Sequence, residues 1–203
     1  MSADITWQPS RVTNAQRERL FAQRPVTLWL TGLSASGKST LAFEAERRLV
    51  DAGHAAAVLD GDNLRHGLSR DLGFAPHERR ENLRRVAEVA RLMNDAGLIV
   101  LSAFISPYRD DRATARQIIG EERFVEVYVA AGLATCEARD PKGLYRRARR
   151  GEIAAFTGIS APYEAPDAPA VTLHTEIDRV DACVRRLLRV LEPYLGRRPA
   201  SGA

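Results

Sequence analysis

Residues 32–40 read Gly-Leu-Ser-Ala-Ser-Gly-Lys-Ser-Thr, a G-x-x-x-x-G-K-[S/T] pattern, and no other stretch restricts the fold so tightly. Its surroundings give it meaning. Residues 26–31 are an apolar run bounded by Pro25 and Gly32, which predicts a buried parallel strand. Residues 38–52 carry Leu41, Ala45 and Leu49 at helical spacing, with Gly53 as a stop. A glycine-rich turn between strand and helix points backbone N–H groups and a helix N-terminus at one spot, which suits phosphate. Gly32, Leu33, Ser34, Ala35, Ser36, Gly37, Lys38, Ser39 and Thr40 are therefore assigned to a nucleoside triphosphate, ATP or GTP. Lys38 is expected to reach the terminal phosphates, and Ser39 to offer its hydroxyl to magnesium.

The rest of the chain alternates in the same way. Strands are predicted at 55–59, 98–103, 124–129 and 171–173. Helices are predicted at 13–23, 63–68, 76–95, 110–119, 133–138, 142–150 and 178–195, with Leu20 and Phe21 buried in the first. Residues 151–169, with three prolines and two glycines, read as a mobile loop. Strands alternating with helices imply right-handed βαβ units, hence an α/β fold of three layers: a parallel sheet with helices on both faces. We divide the chain into an N-terminal helical segment (1–24) packed on one phosphate-loop domain (25–196), a mobile lid at about 139–169, and a flexible tail (197–203). Ligands of such sheets sit at the carboxyl ends of the strands, where residues 32–40, Asp60–Asp62 and Ser106 all fall.

Composition narrows the partners. A net charge of +4 is mildly basic, but the arginines lie at 79–91 and 139–150 rather than in a tail, so no nucleic-acid partner is expected. No apolar run approaches the ~18 residues of a membrane span, and two cysteines, Cys136 and Cys183, form no metal or disulfide pattern; a cytoplasmic protein is expected. Of 30 basic residues only Lys38 and Lys142 are lysine. Where arginine is used almost everywhere, a surviving lysine marks a place that needs a compact ammonium.

Asp60 and Asp62 end the second predicted strand, where a carboxylate can face the terminal phosphate, orient a hydroxyl, take its proton late, or hold magnesium through water. Plain turn chemistry is the competing explanation for Asp-Gly-Asp. Arg65 lies about one helical turn further on, followed by Phe74, Arg79 and Asn82. Guanidinium forks with a nearby ring suit an anionic ligand carrying a base.

Taken together, several strings resemble the adenylylsulfate kinase family. They are Gly32–Thr40, Asp60-Gly61-Asp62-Asn63-Leu64-Arg65, Leu72-Gly73-Phe74 through Arg79, and Glu81-Asn82-Leu83-Arg84-Arg85. Further on come Phe104-Ile105-Ser106-Pro107-Tyr108-Arg109, Cys136 through Tyr145, and Phe156-Thr157-Gly158-Ile159. The resemblance spans about residues 5–195 and implies transfer of the γ-phosphoryl group of ATP to the 3′-hydroxyl of adenosine 5′-phosphosulfate, with Mg2+. It implies Asp62 as the acid acting on the hydroxyl and the magnesium shell, with Asp60 in support. Arg65, Arg79 and Asn82 would hold phosphosulfate and ribose; Phe74 and Phe156 would sandwich the acceptor adenine near Ile105 and Ser106. Lys142, Gly143 and Leu144 would lie in the acceptor site, and Arg139 in the lid over ATP. A phosphoserine intermediate is commonly ascribed to the family at the position of Ser106, whereas in-line transfer needs none and no base is evident beside it. A homodimer is also implied, and association with ATP sulfurylase stays open. The sequence departs from the family at Ala130-Ala131-Gly132, Ala155 and Ser160. Other readings are a kinase for another nucleotide or a sugar acid, a non-catalytic nucleotide-binding module, and a nucleic-acid binder suggested by charge alone.

Overall fold

The computed structural model describes residues 5, 6 and 8–196; the expected tail at 197–203 lies outside them. Five strands form one sheet: β1 (Thr27–Thr31), β2 (Ala56–Asp60), β3 (Ile99–Ala103), β4 (Phe124–Ala130) and β5 (Val171–His174). All neighbours are parallel, in the order β2-β3-β1-β4-β5. The helices are α1 (Asn14–Phe21), α2 (Lys38–Asp51), α3 (Gly61–Arg65), α4 (Pro76–Asp95), α5 (Arg109–Ile119), α6 (Leu133–Arg139), α7 (Leu144–Arg149) and α8 (Val180–Leu191).

Side chains alternate across each strand, so β1 feeds two cores. Leu28 and Leu30 pack with Leu41, Ala45 and Leu49 of α2 and Leu187 and Leu191 of α8 on one face. Trp29 points to the other, among Leu83, Val86 and Ala90 of α4 and Ala115 and Ile119 of α5. Helices on both faces give the three expected layers, and β1 and β3 are buried along their whole length. Each fully buried leucine in the sheet is worth about 1.5–3 kcal/mol. A third, smaller cluster joins Cys136, Tyr145, Ala148 and Phe156, with Leu33 and Ala35 of the glycine-rich loop packed against it. Tyr145, Ala148 and Phe156 of this cluster fall in the segment expected to be a lid.

The long α4 shows how local chemistry sets an element. Pro76 occupies its first turn, and the Glu78 carboxylate accepts from the N–H groups of Gly73 (2.8 Å) and Ala75 (2.9 Å), donors a helix start would leave orphaned. Gly97 ends it at φ 97°, where a Cβ would also lie 2.8 Å from the Phe21 ring.

Some expectations need correction. Leu20 is 73% exposed, and α1 buries no residue. Two adjacent apolar residues on a short helix cannot both face inward, and Phe21 takes the packing position against Gly97. The helix expected at 63–68 starts at Gly61, because the Asp60 carboxylate caps it there. The last helix gives way at Glu192 to a 3-10 turn, Glu192–Tyr194. That turn is joined to the start of the domain: Arg24 N–H donates to Tyr194 O (2.7 Å), Gly196 N–H donates to Ala22 O (2.9 Å), and Gln23 bridges antiparallel to Leu195. The Gln23 side chain in turn donates to the carbonyls of Ala55 and Gly97, ahead of β2 and β3.

Candidate active site

The loop after β1 wraps into α2 under tight steric control. A Cβ on Gly32 would lie 2.5 Å from the Val129 carbonyl oxygen, so only glycine lets β1 leave the sheet so close to β4. Every carbonyl from 32 to 36 is engaged by a side chain or by Lys38. The Lys38 ammonium donates to Gly32 O (3.0 Å) and Leu33 O (2.7 Å). The Tyr145 hydroxyl donates to Ser34 O (3.0 Å), Arg139 Nη1 to Ala35 O (3.4 Å), and the Thr175 hydroxyl to Ser36 O (2.7 Å). Carbonyls held outward this way favour N–H groups turned to the opposite, concave side, as phosphate binding requires. Burial lowers the Lys38 ammonium to about 8, with Asp60 among the groups that oppose the shift.

Asp60, at the end of β2, works in two directions. Its Oδ2 accepts from the Ser39 hydroxyl (2.7 Å), and its Oδ1 accepts from the N–H groups of Asp62 (3.0 Å) and Asn63 (3.3 Å). The Asp-Gly-Asp turn is therefore both a helix cap and a partner of the glycine-rich loop. Asp62, two residues on, forms an ion pair with Lys142. Of the two residues assigned to a metal, Ser39 thus sits with Asp60 rather than with Asp62. A hydroxyl and a carboxylate are hard oxygen donors of the kind magnesium takes, directly or through water. Among the described residues no group of three or more His, Cys, Asp or Glu side chains could hold a metal alone.

Beyond this turn lies a second cationic patch. Arg65 donates to Leu72 O (3.0 Å) and Gly73 O (2.9 Å), and its guanidinium lies 4.3 Å from the centre of the Phe74 ring. Arg79 donates to Phe74 O (2.8 Å), the Thr157 hydroxyl (3.0 Å) and Ala155 O (2.9 Å), so it ties α4 to the turn carrying Phe156. Most arginines here are paired with carboxylates; among the described residues Arg65 and Arg79 are not. Burial lowers both guanidinium groups, the mark of half-desolvated cations. Asn82 is buried nearby on the same helix, and its side-chain oxygen accepts no hydrogen bond. Phe74 is 63% exposed, whereas Phe156 is 7% exposed and packs edge-on against Tyr145, ring centres 5.0 Å apart. An open cleft of ≈ 590 Å³ runs between Leu33 and residues 158–163.

Ser106 is 2% exposed with φ 37°, an uncommon conformation for a residue with a side chain. Its hydroxyl accepts from the Trp29 indole (3.1 Å) and lies 3.5 Å from Phe104 O. Its carbonyl is gripped by Arg112 Nη1 (2.8 Å) and the Thr31 hydroxyl (3.3 Å), which also donates to Ile105 O (2.7 Å). Arg112 is itself buried; it pairs with Glu126 at 2.6 Å and donates to Glu164 O at 2.9 Å. The hydroxyl of Ser106 has no carboxylate or imidazole partner among the described residues.

Gly143 sits at φ 65° as the N-cap of α7, and Leu144 packs against the cluster of Cys136, Tyr145, Ala148 and Phe156. Ala155 adopts φ 51°, a left-handed conformation that costs an alanine local strain. Sequence reasoning missed Tyr145, Thr175 and Arg112. Thr175 could have been suspected, because it directly follows β5 at the sheet's ligand-binding end.

A parallel sheet with this loop, a lysine in it, and a carboxylate facing its serine defines a P-loop phosphotransferase. Residues 24–174 match the family model described as adenylylsulphate kinase. The chain is 51% identical over 191 residues to an adenylyl-sulfate kinase of Staphylococcus carnosus, covering 94% of this chain and 96% of that one. A solved APS kinase of Mycobacterium tuberculosis, in complex with AMPPNP and APS, superposes with a TM-score of 0.81 at 48% identity, covering 84% of this chain and 99% of that one. A hexameric APS kinase from Thiobacillus denitrificans matches at 32% identity and a TM-score of 0.66, covering 91% of this chain and 33% of that chain. The chain belongs to the adenylylsulfate kinase family.

Proposed function

We propose that the chain moves the γ-phosphoryl group of ATP to the 3′-hydroxyl of adenosine 5′-phosphosulfate, giving ADP and 3′-phosphoadenosine 5′-phosphosulfate. The observation that carries this reading is the 2.7 Å bond between Ser39 and Asp60, because it fastens the turn bearing Asp62 to the phosphate loop. A donor loop and an acceptor-facing acid are thereby held as one unit. The guanidinium groups of Arg65 and Arg79 beside Phe74, with no carboxylate partner among the described residues, and the unbonded side-chain oxygen of Asn82 support an acceptor that combines anion, ribose and base.

The backbone N–H groups of residues 33–38 and the Lys38 ammonium hold the β- and γ-phosphates. Ser39, with Asp60 behind it, would hold Mg2+, which supplies charge neutralisation at the phosphate oxygens when bound. The 3′-hydroxyl lies in line with the γ-phosphorus; its oxygen bonds to phosphorus as the bond to the β-phosphate oxygen breaks. Asp62 orients that hydroxyl and takes its proton late, while the Lys142 ammonium fixes the carboxylate. The lid at about 139–169, Arg139 included, closes over the donor and keeps water from competing for the phosphoryl group. Assembly as a homodimer and a cytoplasmic site of action go with this reading; sedimentation and fractionation test them. Among the described residues no helix is long and apolar enough to cross a membrane.

The test is coupled ADP release with adenosine 5′-phosphosulfate, comparing the wild type with Asp62→Asn. Acceptor-dependent release that falls by about 100-fold or more in the variant is expected, within the range for a positioned acid. No such release by the wild type, or release with a sugar acid instead, overturns the proposal.

A further inference from the structure

Tyr145 touches both halves of the site. Its hydroxyl donates to the Ser34 carbonyl of the phosphate loop (3.0 Å), and its ring meets Phe156 edge-on at 5.0 Å and an interplanar angle of 78°. The side chain is buried in the cluster with Cys136, Ala148 and Phe156. A phenol hydroxyl in such a setting costs free energy unless it finds a partner, and phenylalanine would fill the same space without that demand. Burial also pushes its ionisation far above the usual tyrosine range, so the group is a neutral donor and no acid or base. No step of the transfer uses it.

Both of its neighbours are held from their far sides. Tyr145 N–H and Arg146 N–H donate to the Asp140 carboxylate (3.1 Å each), adjacent to Arg139, which holds Ala35 O. Phe156 sits in a turn that Arg79 grips through Ala155 O and the Thr157 hydroxyl. A continuous path of direct contacts therefore runs from Arg79 through the turn at 155–157 to Phe156, Tyr145 and Ser34. Ala155 in that turn is held left-handed, so the turn carries local backbone strain.

We propose that Tyr145 is a positioning residue that couples the two substrates: an acceptor base seated on Phe156 fixes the ring, the ring fixes Tyr145, and Tyr145 holds the phosphate loop in its phosphate-binding form. The inference rests on the reading of Phe156 as part of the acceptor site. Filling the acceptor site thereby tightens donor binding, and by reciprocity the donor tightens the acceptor by the same factor.

The experiment measures the Kd of AMPPNP by calorimetry on the full chain, with and without saturating adenosine 5′-phosphosulfate, in wild type and Tyr145→Phe. The variant keeps the ring and removes only the hydroxyl. The wild type is expected to bind AMPPNP about 5-fold or more tightly when the acceptor is present, the low end of common coupling factors, and Tyr145→Phe to lose that gain to within about twofold. A purely structural tyrosine would lower the melting temperature and leave the ratio intact, which overturns the proposal; so does a wild-type ratio of one. Hydrogen exchange on the wild type guards against a variant that does not fold. Acceptor alone should slow exchange in residues 32–40, and an unchanged rate there refutes the coupling. If the wild type binds no adenosine 5′-phosphosulfate at all, the acceptor assignment falls and takes the inference with it, whereas binding without coupling removes the inference alone.

Discussion

Asp60→Asn separates the two duties of one carboxylate. The side-chain oxygen that caps α3 through the N–H groups of Asp62 and Asn63 can be kept by the amide oxygen, so the turn should survive. The position that accepts the Ser39 hydroxyl at 2.7 Å becomes an NH2 donor instead. Ser39 must then accept from it, and its oxygen is drawn away from the metal and phosphates. Loss of one charge-assisted hydrogen bond is worth about 1.5–3 kcal/mol, or about 10- to 100-fold in rate or metal affinity. Coupled ADP release, followed across a Mg2+ titration at saturating substrates, should show the half-maximal concentration raised or the plateau lowered by that factor. Asp60→Ala should behave as badly in the assay and, in addition, lose the cap, about 1 kcal/mol. At about 2–4 °C for each kcal/mol in a chain of this size, calorimetric melting should separate the two variants. An Asp60→Asn enzyme within twofold of wild type at every Mg2+ concentration would refute the role given to the Ser39–Asp60 pair.

Lys38 and Ser106 give further outcomes. With the Lys38 ammonium lowered to about 8 by burial, its charged form is full below that pH and lost above it, so AMPPNP affinity should fall about tenfold per unit above pH 8. The folding sign is opposite: between about 8 and the ordinary 10.5 the unfolded chain binds more protons, so stability rises with pH there. Calorimetric titration from pH 7 to 9.5 checks the first, and a flat profile refutes it. Ser106→Ala should keep turnover within about threefold while melting lower. Its hydroxyl serves the buried Trp29 indole, whose lost partner costs about 1–3 kcal/mol. Turnover reduced a thousandfold in a folded variant would restore a covalent role.

How far the sequence could be read depended on the range over which each feature is determined. The bounds of α4 are legible because Pro76, the Glu78 side chain and Gly97 act on backbone within a few residues. The strand β1 is legible because burial on both faces leaves an unbroken apolar run. Ser39, Lys38 and the turn at 60–62 follow from spacing, but the division of labour between Asp60 and Asp62 does not. Both are carboxylates in one turn, and only the end of β2 decides which faces Ser39. Leu20 and Phe21 pose the same difficulty on α1, where the packing partner is Gly97, far along the chain. Tyr145 reaches a carbonyl 111 positions away and Thr175 one 139 positions away, and no local pattern announces either contact. Lys142 was singled out by scarcity, and it does meet Asp62.

The lacing of residues 22–24 to 194–196 lies ahead of β2 and β3, at the amino-terminal edge of the sheet, while the phosphate loop, Asp60 and Ser106 occupy the carboxyl edge. Residues 22–24 and 194–196 thus meet at a seam on the opposite edge of the sheet from the glycine-rich loop. Joining the seam with a short linker and opening the chain at the exposed Glu121-Glu122 turn would give a circular permutant with every strand pairing retained. By the same geometry, a module carried at the seam would leave the whole catalytic rim open to diffusing nucleotides.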